Sequence, residues 1–258
     1  MSVLRCAYDG GYFMTMKALL LAGGRGSRLG VLTSDRPKPM LSIAGVPMIE
    51  RIMASVTEQT GIQDFVIVTG YLANVIEEYF GDGQSHGWNV RYVHQDRPLG
   101  VAHAVNTAAP LLRDSDFLMS YGDIMLDPQN YGAAVAEFND RRTVGYSAVV
   151  GLNWVEDPYA GSAVYLADDN EVVRIEEKPA RGTAQTHWNS AGLFVFDPII
   201  FDYTSSIAPS GRGEYELPDA VSAMIIGGHR ALGFPIDGDW RDVGTPEDYA
   251  EINHKYGA

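Results

Sequence analysis

The residues best suited to chemistry stand near the start of the chain. Leu21-Ala22-Gly23-Gly24-Arg25-Gly26-Ser27-Arg28-Leu29 follows a short apolar run over residues 17–22. Glycines at the end of a strand let the backbone come close to a ligand and turn N–H groups toward phosphate oxygens. Arg28 adds a forked cation that suits a phosphate. Two common phosphate motifs are excluded. A dinucleotide fingerprint begun at Gly24 would need glycine where Leu29 stands, and no Gly-Lys-Ser/Thr completes a Walker loop. The plain alternative is a glycine-rich turn that holds nothing. Further on, Pro37-Lys38-Pro39-Met40 sets a lysine between two prolines. Each proline fixes its own φ and biases its predecessor toward extended backbone, so Lys38 is carried on a stiff segment fit to meet a fixed anion. Lysine is scarce here (Lys17, Lys38, Lys178 and Lys255), and two of the four immediately precede a proline. Tyr121-Gly122-Asp123 closes another apolar run. A carboxylate at the C-terminal end of a parallel strand faces the crevice where ligands bind and can hold Mg²⁺, although turn and N-cap aspartates are common.

The elements that must position these residues follow from periodicity. Buried strands are predicted over residues 17–22, 65–69, 90–94 and 117–121, alternating with amphipathic helices over 47–59, 72–80 and 101–112. This alternation predicts an α/β fold, a Rossmann-like three-layer arrangement with a mixed, mostly parallel sheet between helices. The rhythm then changes. Strands are expected over 144–151, 162–166, 171–176 and 192–196, and helices over 217–226 and 246–256. Nothing reads as a linker or a repeat. The expectation is one domain over 16–258, with an alternating α/β half at about 16–125 and a mixed half at about 126–258. Residues 1–15 show no pattern and are expected to be a dispensable extension.

Composition sets the class. The chain has 258 residues, 46% hydrophobic and 20% charged, with a formal net charge of −14. Such a surface disfavours a nucleic-acid partner. The lone Cys6 excludes an internal disulfide framework and a multi-cysteine metal site. No apolar run approaches the roughly 18 residues of a membrane helix, and residues 1–15 lack the apolar core of a signal peptide. A cytoplasmic protein with no membrane partner is expected.

Gly23-Gly24-Arg25-Gly26-Ser27-Arg28-Leu29 with Pro37-Lys38-Pro39-Met40 resembles the sugar-1-phosphate nucleotidyltransferases, whose signature runs G-G-x-G-[ST]-R-L and then P-K-P-[LM]; Val31 departs from the proline usual in that family. The resemblance covers most of the chain, from residue 16 to about 256. It implies the nucleotide-diphospho-sugar transferase fold, transfer from an NTP to a sugar 1-phosphate with release of pyrophosphate, and Mg²⁺ as cofactor. It places Leu21, Ala22, Gly23, Gly24, Gly26, Ser27 and Arg28 at the nucleotide, with Gln95 and Gly100 at the base. It gives Lys38 a place near the α-phosphate, and Asp123 and Asp242 the metal. Glu177-Lys178-Pro179 matches its E-K-P, with Glu177 on the sugar hydroxyls and Lys178 on the sugar phosphate. Asn189 and Gly192 fall in its sugar segment, but the family asparagine, counted back from Gly192, lands on Ser190. The family glycine near the sugar likewise lands on Ser162, beside Gly161.

A glutamine amide offers both a donor and an acceptor, and the imino and carbonyl edge of thymine or uracil uses both, so Gln95 favours dTTP or UTP. The alternatives are a guanylyl- or cytidylyltransferase on another phosphorylated sugar or alcohol, and a regulatory homologue without turnover. The second is disfavoured because Arg28, Lys38, Asp123, Lys178 and Asp242 are all present. A glycosyltransferase would carry D-x-D, which Asp123-Ile124-Met125 does not supply. His103 has no metal-like spacing partner and reads as a core or surface histidine. Self-association into a homo-oligomer is left open.

Overall fold

A computed structural model describes residues 16–257; the extension over residues 1–15 and Cys6 lie outside the described residues. The first half alternates strand and helix: β1 (Lys17–Leu21), the short pair β2 (Ser42–Ile43) and β3 (Val46–Pro47), α1 (Met48–Thr60), β4 (Asp64–Thr69), α2 (Ala73–Phe80), β5 (Asn89–His94), α3 (Val101–Thr107), α4 (Ala109–Leu112) and β6 (Phe117–Tyr121). Then come β7 (Ile124–Leu126), α5 (Gln129–Arg142), β8 (Tyr146–Trp154), β9 (Ser162–Leu166), β10 (Val172–Glu177) and β11 (Trp188–Phe196). The chain closes with α6 (Ile200–Thr204), α7 (Leu217–Ile226), β12 (Arg230–Pro235), β13 (Trp240–Asp242) and α8 (Pro246–Gly257).

Among the described residues, nine strands form one sheet, in the order β10-β9-β11-β6-β1-β4-β5, with β8 paired to β11 and β12 to β8. β5, β4, β1 and β6 run parallel, and β11 turns the sheet by pairing antiparallel to β6. The expected mixed, mostly parallel sheet is present. Alternate strand residues feed opposite faces. Ala18, Leu20, Phe65, Ile67 and Leu118 join one core with residues of α1, α2, α5 and α8. Leu19, Val66, Val68, Phe117 and Met119 join the other with α3, α4, α6 and α7.

The helix predicted over 101–112 is broken into α3 and α4. Pro110 has no N–H to continue the ladder, and its ring excludes the carbonyl four residues back, so Ala108 turns its N–H to Val105 O at 3.0 Å instead. The strand predicted at 192–196 starts earlier, at Trp188, because a register shift between Ser190 and Phe194 lets β11 continue against β8.

Phe117 is fully buried on the central strand β6, stacked on Phe201 at 5.2 Å and tilted against Phe196 at 5.7 Å. Phe117→Ala is expected to lower unfolding free energy by about 3–5 kcal/mol, read as a shifted urea midpoint.

Candidate active site

Strand ends, tight loops and one short ladder assemble the site. The parallel strands β1, β4 and β6 end on the same edge of the sheet, so the glycine loop, the turn after Thr69 and Asp123 all open into one crevice, as expected for α/β sheets. Asp242 arrives from 119 residues further along the sequence than Asp123. β13 pairs antiparallel with β7, which sets Asp242 opposite Ile124, the residue after Asp123.

Between the two carboxylates lies Lys38. Its Nζ is 2.8 Å from Asp123 Oδ2 and 2.8 Å from Asp242 Oδ1, and its side chain is 7% exposed. Burial alone would lower the lysine pKa. Asp123 and then Asp242 outweigh it, so Lys38 is held above the ordinary lysine value. A group whose folded pKa is raised contributes stability below its unfolded value and loses it as pH rises through the folded one. Lys38 therefore keeps its charge through neutral and mildly alkaline pH. Lys38 starts a single 3₁₀ turn, Lys38–Met40, after Pro37 in extended geometry at ψ 155°. The stiff prolines thus carry the lysine inward, not to the surface.

Arg28 stands at the rim, its guanidinium 3.8 Å from Asp242 Oδ2 and its side chain 72% exposed. Leu21, Gly24, Gly26 and Ser27 line one pocket with Arg28, Lys38 and Asp123. Ala22 does not line it; it is buried, and its N–H donates to Val68 O at 2.9 Å. Gly23 faces Thr69 O and Gln95 Oε1. Gly100, at φ 105°, presses on the backbone of Tyr215: a methyl there would sit 2.5 Å from Tyr215 O.

A second pocket continues from Arg28, Lys38, Asp123 and Asp242 past Glu177, Asn189 and Ser190 to Asp157 and Trp240. Glu177 is held from two sides, accepting from Ser162 Oγ and, at 3.3 Å, from Arg212. Lys178, at φ 45°, places Nζ 3.8 Å from Glu177 Oε1 and is half exposed. The sugar segment of β11 is placed as follows. Asn189 reaches the pocket wall, but its amide is spent inside the fold: Oδ1 accepts from Ser162 N–H at 2.9 Å, and Nδ2 donates to Asn153 Oδ1 and Ser190 O, both at 2.9 Å. Gly192 is not on the wall; it stands at φ 78° in the β11 irregularity, backed by Ile124 and Tyr121. Ser190, where the resemblance puts asparagine, lines the pocket with its Oγ unpartnered.

Sequence reasoning missed Trp240, whose Nε1 donates to Ala191 O at 2.9 Å and closes the far wall. It also missed Arg212, which bridges Glu177 and Glu216; a lone arginine in Ser210-Gly211-Arg212-Gly213 carries no periodic signal. His103 is neither a core nor a bare surface residue: its Nδ1 lies 2.9 Å from Gln95 Nε2.

Among the described residues no three His, Cys, Asp or Glu side chains converge as a metal site. Two carboxylates still suit Mg²⁺, which is commonly held by one or two carboxylates with the remaining positions filled by substrate phosphates and water.

A family model described as nucleotidyl transferase matches residues 17–258. The chain is 34% identical to a glucose-1-phosphate thymidylyltransferase of Streptomyces antibioticus, over 92% of this chain and 65% of that protein. It is 32% identical to the UTP–glucose-1-phosphate uridylyltransferase AglF of Haloferax volcanii, over 93% of this chain and 96% of that one. The chain thus spans about two thirds of the Streptomyces relative and nearly all of the Haloferax one. A solved UDP-glucose pyrophosphorylase, in complex with UDP-glucose, superposes with a TM-score of 0.83, covering 94% of this chain and 98% of that chain; at 23% identity it speaks for the fold. The chain belongs to the nucleotidyl transferase family. Among the described residues no helix is long and apolar enough to cross a membrane.

Gly26, at φ 67°, lies against Lys38: a methyl on it would fall 2.8 Å from Lys38 Cβ. Gly26→Ala is expected to cost about 1–3 kcal/mol through left-handed backbone strain and displacement of the lysine stem. Equilibrium urea unfolding, with the slope unchanged, measures it.

Proposed function

We propose that this chain transfers a nucleotidyl group from an NTP to a sugar 1-phosphate, giving an NDP-sugar and pyrophosphate. The observation that carries the reading is the buried Lys38 between Asp123 and Asp242, set beneath the glycine loop and opening onto the pocket walled by Glu177 and Trp240. Glucose 1-phosphate with dTTP or UTP is the first substrate pair to test, because the relatives named above are a thymidylyl- and a uridylyltransferase.

The sugar phosphate is already largely dianionic at neutral pH, its second pKa being about 6, so the attack needs no base. One of its oxygens attacks the α-phosphorus in line, the α–β bridge bond breaks, and pyrophosphate leaves with that electron pair. The protein's part is positioning and charge neutralisation. N–H groups of the loop at Gly24, Gly26 and Ser27, with Arg28, take the β- and γ-phosphates. Lys38 serves the α-phosphate, Lys178 aligns the attacking phosphate and Glu177 receives sugar hydroxyls. Asp123 and Asp242 would hold Mg²⁺, which supplies Lewis-acid neutralisation of phosphate charge when bound.

A pyrophosphate-release screen of five NTPs against a panel of sugar 1-phosphates tests the reading; no release with any pair overturns it. Lys38→Ala is expected to lower kcat by on the order of 10² or more while the protein stays folded. Asp123→Asn or Asp242→Asn should abolish turnover supported by Mg²⁺, and EDTA should do the same to the wild type. Activity that survives EDTA removes the metal from the scheme.

A further inference from the structure

Gln95 follows β5 directly, with its backbone N–H on Thr69 O at 2.9 Å, and its side chain turns toward the start of α3. There Nε2 lies 3.2 Å from Gly100 O and 2.9 Å from His103 Nδ1. The carbonyl of Gly100 can only accept, so the amide atom beside it here is the nitrogen; at 3.2 Å this is the longer of the two contacts and the weaker anchor. An amide nitrogen has two hydrogens. One is directed to Gly100 O, and the other is left for His103, whose Nδ1 must then be unprotonated. Both donors of Gln95 are committed. The atom that remains is Oε1, which faces the backbone of Gly23: a methyl built on Gly23 would stand 3.5 Å from it.

We propose that His103 is a positioning residue that fixes the amide of Gln95, so that the nucleobase meets an acceptor, Oε1, and not a donor. The proposal rests on the nucleotidyl-transfer reading, and it deepens the base preference of that site. An acceptor at this point matches the N3–H of uracil or thymine and faces the bare N3 of cytosine with repulsion. It withdraws the donor that the sequence reading gave Gln95 for a carbonyl of the base, since both hydrogens are already used; guanine's N1–H would also find Oε1. His103 is itself anchored. Thr107 Oγ1 donates to its carbonyl at 2.7 Å, and its ring lies 6.2 Å from that of Tyr215, the residue whose backbone packs on Gly100.

The test compares the wild type, His103→Leu, which removes the acceptor, and His103→Asn, whose Oδ1 can accept in place of Nδ1. Kinetics with UTP and CTP and long-range ¹H–¹⁵N spectra of the histidine side chains are measured on each. The wild type is expected to show His103 as the Nε2–H tautomer near neutral pH, its signal assigned by loss in His103→Asn. His103→Leu is expected to raise KM for UTP roughly three- to tenfold, the worth of one hydrogen bond, with kcat changed less than twofold. It should also narrow the UTP-to-CTP ratio of kcat/KM, because the freed amide can turn its nitrogen toward cytosine N3. His103→Asn should restore both values. A protonated Nδ1 in the wild type overturns the proposal with no assay needed, and decides it even if His103→Leu does not fold. An unchanged KM and UTP-to-CTP ratio in folded His103→Leu overturns it as well. A wild type that turns over no NTP yet shows the Nε2–H tautomer sinks the nucleotidyl-transfer reading instead, so the two failures are distinct.

Discussion

An ammonium group taken out of water is tolerated only when opposite charge surrounds it, and Lys38 shows how much structure that requirement organises. Asp123 and Asp242 must both converge on one nitrogen. Asp123 is delivered by the end of the central strand β6, and Asp242 by the three-residue ladder between β13 and β7. Gly26 must lack a side chain for the lysine stem to pass. The prolines on either side of Lys38 hold the turn that aims it inward. The glycine loop, the carboxylates and the lysine are therefore one unit. Two carboxylates against one buried cation leave a negative balance that Arg28 offsets only from the rim, at 3.8 Å from Asp242. Such a pocket suits further positive charge brought with a ligand.

The same balance bears on the molecule as a whole. A chain with net charge −14 repels anionic substrates at long range. Under the proposed function, binding of a triphosphate then has to be won locally, by loop N–H groups and by the few cations near the crevice. Arg28 at the rim, Lys38 at the floor and Lys178 with Arg212 around Glu177 are cations near the crevice, each already paired with a carboxylate. Screening by salt weakens the long-range repulsion more than the short contacts, so association should tolerate moderate ionic strength.

The sequence declared the parallel strands because each is a run of apolar residues long enough to be buried on both faces. β1 and β6 match their expected spans to within a residue at either end. α5 left little trace: its buried residues are Asn130, Tyr131, Ala134 and Phe138, and half of them are small or polar. β13 is only three residues long, too short for any period, so Asp242 was legible through resemblance alone. Asn189 and Ser190 could not be assigned by counting, because the irregularity in β11 changes which side chains face the pocket. The contact of His103 was not legible because its partner, Gln95, lies eight positions away around the turn at Gly100, a distance that no helical or strand spacing encodes. Hydrophobic pattern thus reveals the scaffold, while contacts made across turns and irregular strands complete the site.

The central claim is that the Lys38 cluster directs attack at the α-phosphorus of a bound NTP. ³¹P NMR of the wild type incubated with UTP, glucose 1-phosphate and Mg²⁺ tests it most directly, since it reports which phosphate bond breaks. The account expects a nucleoside diphosphosugar and pyrophosphate to accumulate in equal amounts, with no orthophosphate. Appearance of UDP with orthophosphate, the products of cleavage at the γ-phosphate, would contradict it.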